Sequence, residues 1–174
     1  MNPLHGSACA TIALLATACT AQMSETATAT KPTTLVRRVP SGVAQLRMAL
    51  HQLPAKPADA PRVPVLFLHG ATFPSSNAAG WEIDGVSWMT ATQAAGRDVW
   101  ALDFVGYGAS DRYPEMSAPS PSKAPLGNLD QMLQQVERAV DAITGNRADQ
   151  RVILIAHSAG TFVAGTYSAR HPER

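Results

Sequence analysis

Three short apolar segments constrain the fold of this chain more than any other feature. They are RVPVLFLHG at 62–70, DVWALDF at 98–104 and RVILIA at 151–156, and their apolar residues follow one another without alternation. A strand with one buried face alternates apolar and polar residues, whereas a strand covered on both faces does not. The three segments therefore predict buried strands of a parallel sheet.

The stretches between these strands have the periodicity of helices. Asp84 is placed to cap a helix through GVSWMTATQAA, and Gly96 to end it. Before the third strand, apolar residues recur at helical spacing up to Gly145. They are Leu129, Met132, Leu133, Val136, Val140 and Ile143. Because strands that alternate with helices need right-handed crossovers, the prediction is an α/β fold with a doubly wound, mostly parallel sheet.

Two further strands are expected ahead of the first apolar segment. In VAQLRMALHQL at 43–53, apolar and polar residues alternate from Gln45 to His51, which predicts a half-buried strand. The segment TLVRRV would pair with it across the turn residues at 40–42. An antiparallel hairpin is therefore expected at the start of the domain.

The first 34 residues have a different composition from the rest. The apolar stretch at 6–21 is short for a bilayer span of roughly 20 residues and resembles an export signal. Cys19 follows LATA as in a bacterial lipoprotein box, so lipidation there would attach the protein to a membrane. We predict a leader at 1–21, a flexible tether at 22–34 and a domain at 35–174. A disordered tail on a cytoplasmic protein is the alternative.

Charge and cysteine content exclude several classes of function. The chain has 14 basic and 13 acidic residues and no basic run, which argues against a nucleic-acid partner. Both cysteines, Cys9 and Cys19, lie in the predicted leader, so zinc-finger and thiol-redox chemistry are not expected in the domain. Nothing in the sequence indicates a metal or an organic cofactor, and oligomeric state is left undetermined.

Ser158 stands directly after the third apolar strand, in LIAHSAGTFVAG. Ala156 and Gly160, two residues on either side, form a Gly-x-Ser-x-Gly pattern with Ala for the first Gly. Such a strand-to-helix turn exposes the hydroxyl to a base and to a developing oxyanion, and its small residues let strand and helix pass closely. The amide of Ala159, free at the helix start, can face an oxyanion. An ordinary helix-capping serine is the alternative reading.

A second candidate element, HGATFPSS at 69–76, follows the first apolar strand. Gly70 lets the backbone approach a substrate closely. The amide of Ala71, or failing that of Thr72, is then the expected second oxyanion donor. The ring of His69 is expected to order the backbone of this loop rather than to catalyse.

Four ordered segments resemble the α/β-hydrolase fold family, in its serine-nucleophile, esterase- and lipase-like branch. They are VLFLHGATFPSS, WEIDGVSWM, DVWALDFVGYGASDRYP and VILIAHSAGTFVAGTYSARHPER. The resemblance runs from about residue 35 to the end of the chain. It implies the first five strands of an eight-stranded sheet and the helix after them.

The same resemblance implies the site and the substrate class. Ser158 would be the nucleophile, the amides of Ala71 and Ala159 would form the oxyanion hole, and the substrate would be a small acyl compound of the ester type. A serine at this position argues against the epoxide hydrolase and haloalkane dehalogenase branches. Thioesterase, lactonase, amidase and carbon–carbon hydrolase activities stay open.

The order of a hydrolase triad is nucleophile, acid, histidine. After Ser158, the only candidates are His171 and Glu173, at the far end of the predicted helix. A rise of about 1.5 Å per helical residue puts His171 roughly 18–20 Å away. It is therefore not expected to be the base.

The other charged candidates have structural explanations. His157 is next to the serine, but neighbouring side chains diverge, so it is expected to border the pocket. His51 is expected on the polar face of a strand, and Asp103 is expected to cap the turn after its own strand. We therefore expect the triad acid and histidine to be missing from this chain, which would be an inactive part of a longer hydrolase. A noncatalytic truncated pseudoenzyme or binding lipoprotein is the alternative.

Overall fold

A computed structural model describes residues 33–59, 62–117, 125–147 and 149–174, all within one compact unit. The predicted leader, and the predicted tether up to residue 32, lie outside the described residues and stay predictions. The described part of the chain contains no helix that is long and apolar enough to cross a membrane.

Five strands form a single mixed sheet in the order β1-β2-β4-β3-β5. They are β1 (Leu35–Pro40), β2 (Arg47–Leu53), β3 (Val65–Leu68), β4 (Val99–Asp103) and β5 (Ile153–Ala156). β1 and β2 form the predicted hairpin, and β2 is antiparallel to β4. β3 lies parallel to both β4 and β5. The three apolar segments thus form the parallel part of the sheet, as predicted. β3 and β4 are buried throughout, but the expectation of burial is wrong for β5, whose residues are half-buried or exposed. β5 lies at the edge of the described sheet, where no further strand covers it.

Helices cover both faces of this sheet, which confirms the doubly wound α/β class. They are α1 (Trp88–Ala94), α2 (Leu129–Thr144) and α3 (Ala159–Arg170), with short 3₁₀ turns at Ser75–Asn77 and Pro114–Ser117. On one face, the core joins Leu66 and Leu102 to α2 and α3. On the other face, Phe67 packs with Met89 of α1.

The expectation of a half-buried β2 is wrong. Of its residues only Arg47 is exposed, and Met48, Ala49 and Leu50 are all fully buried. The strand lies between β1 and β4 and both sheet faces are covered, so alternation in the sequence does not become alternation in burial.

Ser87, rather than Asp84, caps α1. The amide of Thr90 donates to the Ser87 hydroxyl at 3.1 Å, and the amide of Ser87 donates to the Thr90 hydroxyl at 2.8 Å. This reciprocal capping box satisfies two amides at once. Asp84 instead lies in the preceding turn with a φ of 50°. The helix ends at Ala94, two residues before the predicted Gly96.

Candidate functional site

Ser158 joins β5 to α3 in a strained backbone conformation. Its φ and ψ are 53° and −126°, and its side chain accepts no capping hydrogen bond. A capping serine has extended backbone angles and accepts an amide from the first turn. The capping interpretation is therefore wrong. The side chain is left exposed, with its hydroxyl uncommitted to the helix.

Two glycines let this turn approach the end of β3. A Cβ atom on Gly160 would lie 2.6 Å from the carbonyl oxygen of His69 and 2.9 Å from that of Leu68. A Cβ atom on Gly70 would lie 2.9 Å from the Cβ of Ser158. Neither position has room for a side chain, because the start of α3 and the end of β3 are in direct contact.

His69 is buried and orders the loop after β3, as the sequence predicted. Its Nδ1 lies 2.6 Å from the carbonyl oxygen of Gly70, and the amide of Phe104 donates to its Nε2 at 3.1 Å. Because an amide can only donate, Nε2 must be the acceptor and Nδ1 carries the proton. Burial lowers the pKa of His69, against smaller raising effects of the Gly70 carbonyl and Asp103. The ring is therefore neutral and held in one tautomer.

The two amides predicted as oxyanion donors are free within the described part of the chain. No described carbonyl or side chain accepts a hydrogen bond from the amide of Ala71 or of Ala159. The first residue of a helix has no intrahelical acceptor for its amide, and α3 begins at Ala159. Both groups are thus available to an external acceptor.

A cavity of about 350 Å³ brings most of the predicted site residues together. Its lining includes Ser158, Ala71, His69, Gly70, Ala156 and His157. The apolar part of its wall comprises Phe67, Leu68, Phe73, Ala78, Ala79, Trp88 and Ile155. Ala159 and Gly160 are not part of this lining and lie at the helix start. Among the described residues that line it, only the two histidines are ionisable, so the cavity suits an uncharged, largely apolar group.

The other two described histidines, His51 and His171, have partners other than the serine. His171 follows the last residue of α3, and its ring packs on Tyr167 at a centroid distance of 4.6 Å. Its Nδ1 lies 3.6 Å from a carboxylate oxygen of Glu173. The Nε2 of His51 donates to the carboxylate of Asp103 at 2.8 Å, because an ionised carboxylate can only accept. No described histidine is hydrogen-bonded to Ser158.

Asp103 does more than the turn capping that the sequence predicted. It accepts from the amide of Ala109 at 2.9 Å, and also from the amide of Ser75 at 2.7 Å. Burial by itself raises its pKa, but the hydrogen bond from His51 and those from the two amides outweigh burial and hold the pKa well below its usual range. A Cβ atom on Gly108 would collide with this carboxylate. The buried anion therefore joins β2, β4 and the loop after β3.

Tyr107 is a site residue that sequence reasoning missed. Its hydroxyl donates to the carbonyl oxygen of Ala71 at 2.6 Å, and its ring lies 4.7 Å from that of His69. The available signal was its position between Gly106 and Gly108, in the turn directly after a buried strand. Turns at the carboxyl ends of parallel strands surround the ligand crevice of such sheets.

The chain belongs to the alpha/beta hydrolase family, whose model matches residues 65–172. Comparison with curated proteins finds no match. Among solved structures, the chain is similar to an epoxide hydrolase from Vigna radiata, with 19% identity and a TM-score of 0.56 over 80% of this chain and 35% of that one.

Two further solved structures show the same fold. A haloalkane dehalogenase variant from Bradyrhizobium elkanii has 20% identity and a TM-score of 0.54, covering 80% of this chain and 37% of that one. A thioesterase domain from the curacin biosynthetic pathway has 19% identity and a TM-score of 0.55, covering 81% and 41%. The chain thus spans about two fifths or less of these structures, and identity this low establishes the fold alone.

Proposed function

We propose that this chain carries the nucleophile half of a serine hydrolase that acts on carboxylic esters or related acyl compounds. Ser158 would attack the acyl carbon, and the amides of Ala71 and Ala159 would bind the oxyanion. The observation that carries the proposal is the turn at Ser158. Ser158 has a positive φ and a hydroxyl that does not cap the helix. It lines the same cavity as Ala71 in the loop after β3. Preorganised amide donors of this kind stabilise the charge that develops on a carbonyl oxygen.

The chemistry of serine favours acyl substrates over those named for two of the structural relatives. Attack of a hydroxyl on the saturated carbon of an epoxide or haloalkane would leave an ether, which water does not readily cleave. Attack on an acyl group leaves an ester, which water can hydrolyse to regenerate the enzyme. A serine at 158 therefore supports acyl transfer, with ester, thioester, lactone and amide bonds as candidate targets.

The cavity wall indicates the character of the acyl compound. Its apolar residues outnumber its polar ones, and its described lining contains no Asp, Glu, Lys or Arg. Burial of a charged group there without a partner would be costly. We expect neutral esters with apolar groups to be turned over, and esters that carry a charge on the acyl group to be poor substrates.

The proposal also requires a base that the described residues do not supply. Both nitrogens of His69 are bonded to the backbone, His51 is paired with Asp103, and His171 lies beyond the end of α3. His157 lines the cavity but is not hydrogen-bonded to Ser158, its neighbour in the chain. We propose that the base and its carboxylate partner come from outside the described residues.

The test uses the complete natural protein and a fluorophosphonate probe, which labels activated serines. Wild-type protein should be labelled and should hydrolyse a neutral p-nitrophenyl ester, and Ser158→Ala should abolish both. Ser168→Ala, at another exposed serine of α3, is the matched control and should keep both. A folded protein that is not labelled at Ser158 would reject the hydrolase proposal and favour a noncatalytic binding role.

A further inference from the structure

The loop after β3 is fixed at both of its ends by groups of β4 and of the residue that follows β4. At its start, the amide of Phe104 holds the ring of His69, which in turn holds the carbonyl of Gly70. At its end, Ser75 donates from its amide to Asp103 and from its hydroxyl to the carbonyl oxygen of Leu102, each at 2.7 Å. The peptides between these anchors carry the Ala71 amide, one of the two proposed for the oxyanion hole, and the Thr72 amide that follows it.

Each peptide unit in the loop can be oriented through its carbonyl. The C=O and N–H of one trans peptide lie in a plane and point in opposite directions. The hydrogen bond from His69 to the Gly70 carbonyl therefore orients the Ala71 amide. By the same reasoning, the hydrogen bond from Tyr107 to the Ala71 carbonyl orients the next amide, that of Thr72.

The hydroxyl of Tyr107 is itself held in place. The amide of Tyr107 donates to the carbonyl oxygen of Phe104 at 2.9 Å, and its own carbonyl accepts from the amide of Ser110 at 3.0 Å. The flanking Gly106 and Gly108 have φ angles of 96° and 48°, in the left-handed region that glycine adopts without strain. The ring rests against His69. The turn therefore presents the hydroxyl to Ala71 without needing a substrate to order it.

We propose that Tyr107 is a positioning residue for the oxyanion hole, an inference that rests on the proposed function. Its hydroxyl fixes the Ala71–Thr72 peptide, which directly follows the peptide that carries the Ala71 amide. Ala71 is thereby held on both sides, by His69 and by Tyr107, so that its amide faces the oxyanion before the substrate arrives. A group that orients oxyanion donors acts on the transition state more than on the bound substrate. Its loss should therefore lower kcat and leave KM nearly unchanged.

The test compares Tyr107→Phe with Tyr113→Phe in the complete natural protein. Tyr113 is a buried tyrosine whose hydroxyl lies 3.4 Å from Gln131, away from the oxyanion loop. Loss of a direct oxyanion donor lowers kcat about 100- to 1000-fold. A residue acting through one peptide should cost about tenfold, roughly in line with the loss of a group that supports a direct ligand.

Tyr107→Phe is therefore expected to lower kcat for a neutral ester about tenfold, with unchanged KM and melting temperature, whereas Tyr113→Phe keeps wild-type kcat. An unchanged kcat in Tyr107→Phe would overturn the inference. So would an equal loss in both variants, or a loss that parallels a lower melting temperature. Wild-type protein without Ser158 labelling would instead overturn the proposed function, and this inference with it.

Discussion

The two strand ends that form the candidate site are held in place by different forces. The turn after β5 depends on backbone shape, with Ser158 at positive φ and Gly160 against the carbonyl of His69. The loop after β3 depends on side-chain hydrogen bonds, chiefly those of His69 and Asp103. One element is sensitive to added volume, and the other to the loss of a polar partner.

Under the proposed function, this difference matters because the two elements would have different tasks. The hydroxyl of a nucleophile must stay available to its base and to the substrate, so the surrounding turn is best fixed by its backbone and not by a helix-capping bond to that hydroxyl. Oxyanion donors must have fixed directions while their N–H groups stay free, so they are best held through the carbonyls of the same peptides. Each mode of support leaves the reactive group uncommitted.

The largest expected effect is on the close approach between the two elements. Gly160→Ala would place a methyl group 2.6 Å from a backbone oxygen that cannot move without displacing β3. We expect a loss on the order of 3 kcal/mol in the free energy of unfolding, or failure to fold, measured by urea denaturation.

Gly165→Ala is the matched control for that substitution. Gly165 lies within the same helix with open space where its Cβ would be. The free energy of unfolding of Gly165→Ala should be about 0.5–1 kcal/mol higher than that of the wild type, because alanine has the higher helix propensity. Similar effects at both glycines would show that the contact between α3 and β3 is unimportant.

Loss of the buried carboxylate should have the next largest effect. Asp103→Asn keeps the size of the side chain but removes its negative charge. That charge accepts hydrogen bonds from His51 and from the amides of Ser75 and Ala109. We expect a loss of about 2–3 kcal/mol in the free energy of unfolding and a more mobile loop after β3. The same exchange at exposed Asp84 should leave the denaturation midpoint unchanged, and equal effects at both sites would contradict the assigned role.

The contribution of Asp103 should also depend on pH. Its pKa is lower in the folded state than its ordinary value of 3.8, so the folded protein favours the ionised form. The resulting stabilisation is fully present above that value and is lost as the pH falls below it. The difference in unfolding free energy between wild type and Asp103→Asn should therefore be largest above pH 4 and shrink towards pH 2.5. If the stability difference between wild type and Asp103→Asn grew as the pH fell, the assigned direction of the Asp103 pKa shift would be wrong.

The smallest expected effect concerns the backbone strain at Ser158. Ser158→Gly and Ser158→Ala both remove the hydroxyl, but only glycine adopts a φ of 53° and ψ of −126° without cost. We expect the glycine variant to be about 1 kcal/mol more stable than the alanine variant, measured by thermal denaturation. Equal stabilities would show that the turn stores no strain.

Sequence patterns predicted the layers of this fold because burial on both faces leaves a direct signature. The runs around Leu66 and Leu102 predicted buried parallel strands for this reason. The run around Leu154 predicted the third parallel strand but not its exposure at the edge of the described sheet. The cap of α1 was assigned to Asp84 because an acidic residue stood ahead of the helical pattern. The sequence did contain the competing signal, Ser87 with its reciprocal partner Thr90 three residues later, but threonine is not the Glu or Gln that usually completes a capping box.

The site was predicted less completely, for a physical reason. Ser158 and Gly70 belong to short motifs, in which the residues next to them in the sequence indicate the backbone conformation. The bonds of Asp103 to His51 and Ser75, and of Tyr107 to Ala71, join positions that are 28 to 52 residues apart in the chain. Such pairings depend on strand register, which a local pattern does not contain.

Both ring nitrogens of His69 are hydrogen-bonded, which has a practical consequence for chemical modification. Diethyl pyrocarbonate acylates an accessible, unprotonated imidazole nitrogen, and His69 is only 2% exposed with both nitrogens engaged. His157 lies on the cavity wall and is exposed. Among the histidines of this cavity, the reagent should therefore modify His157 and leave His69 intact. Modification of His157 would block the cavity, so loss of activity after this treatment would not by itself identify a catalytic histidine.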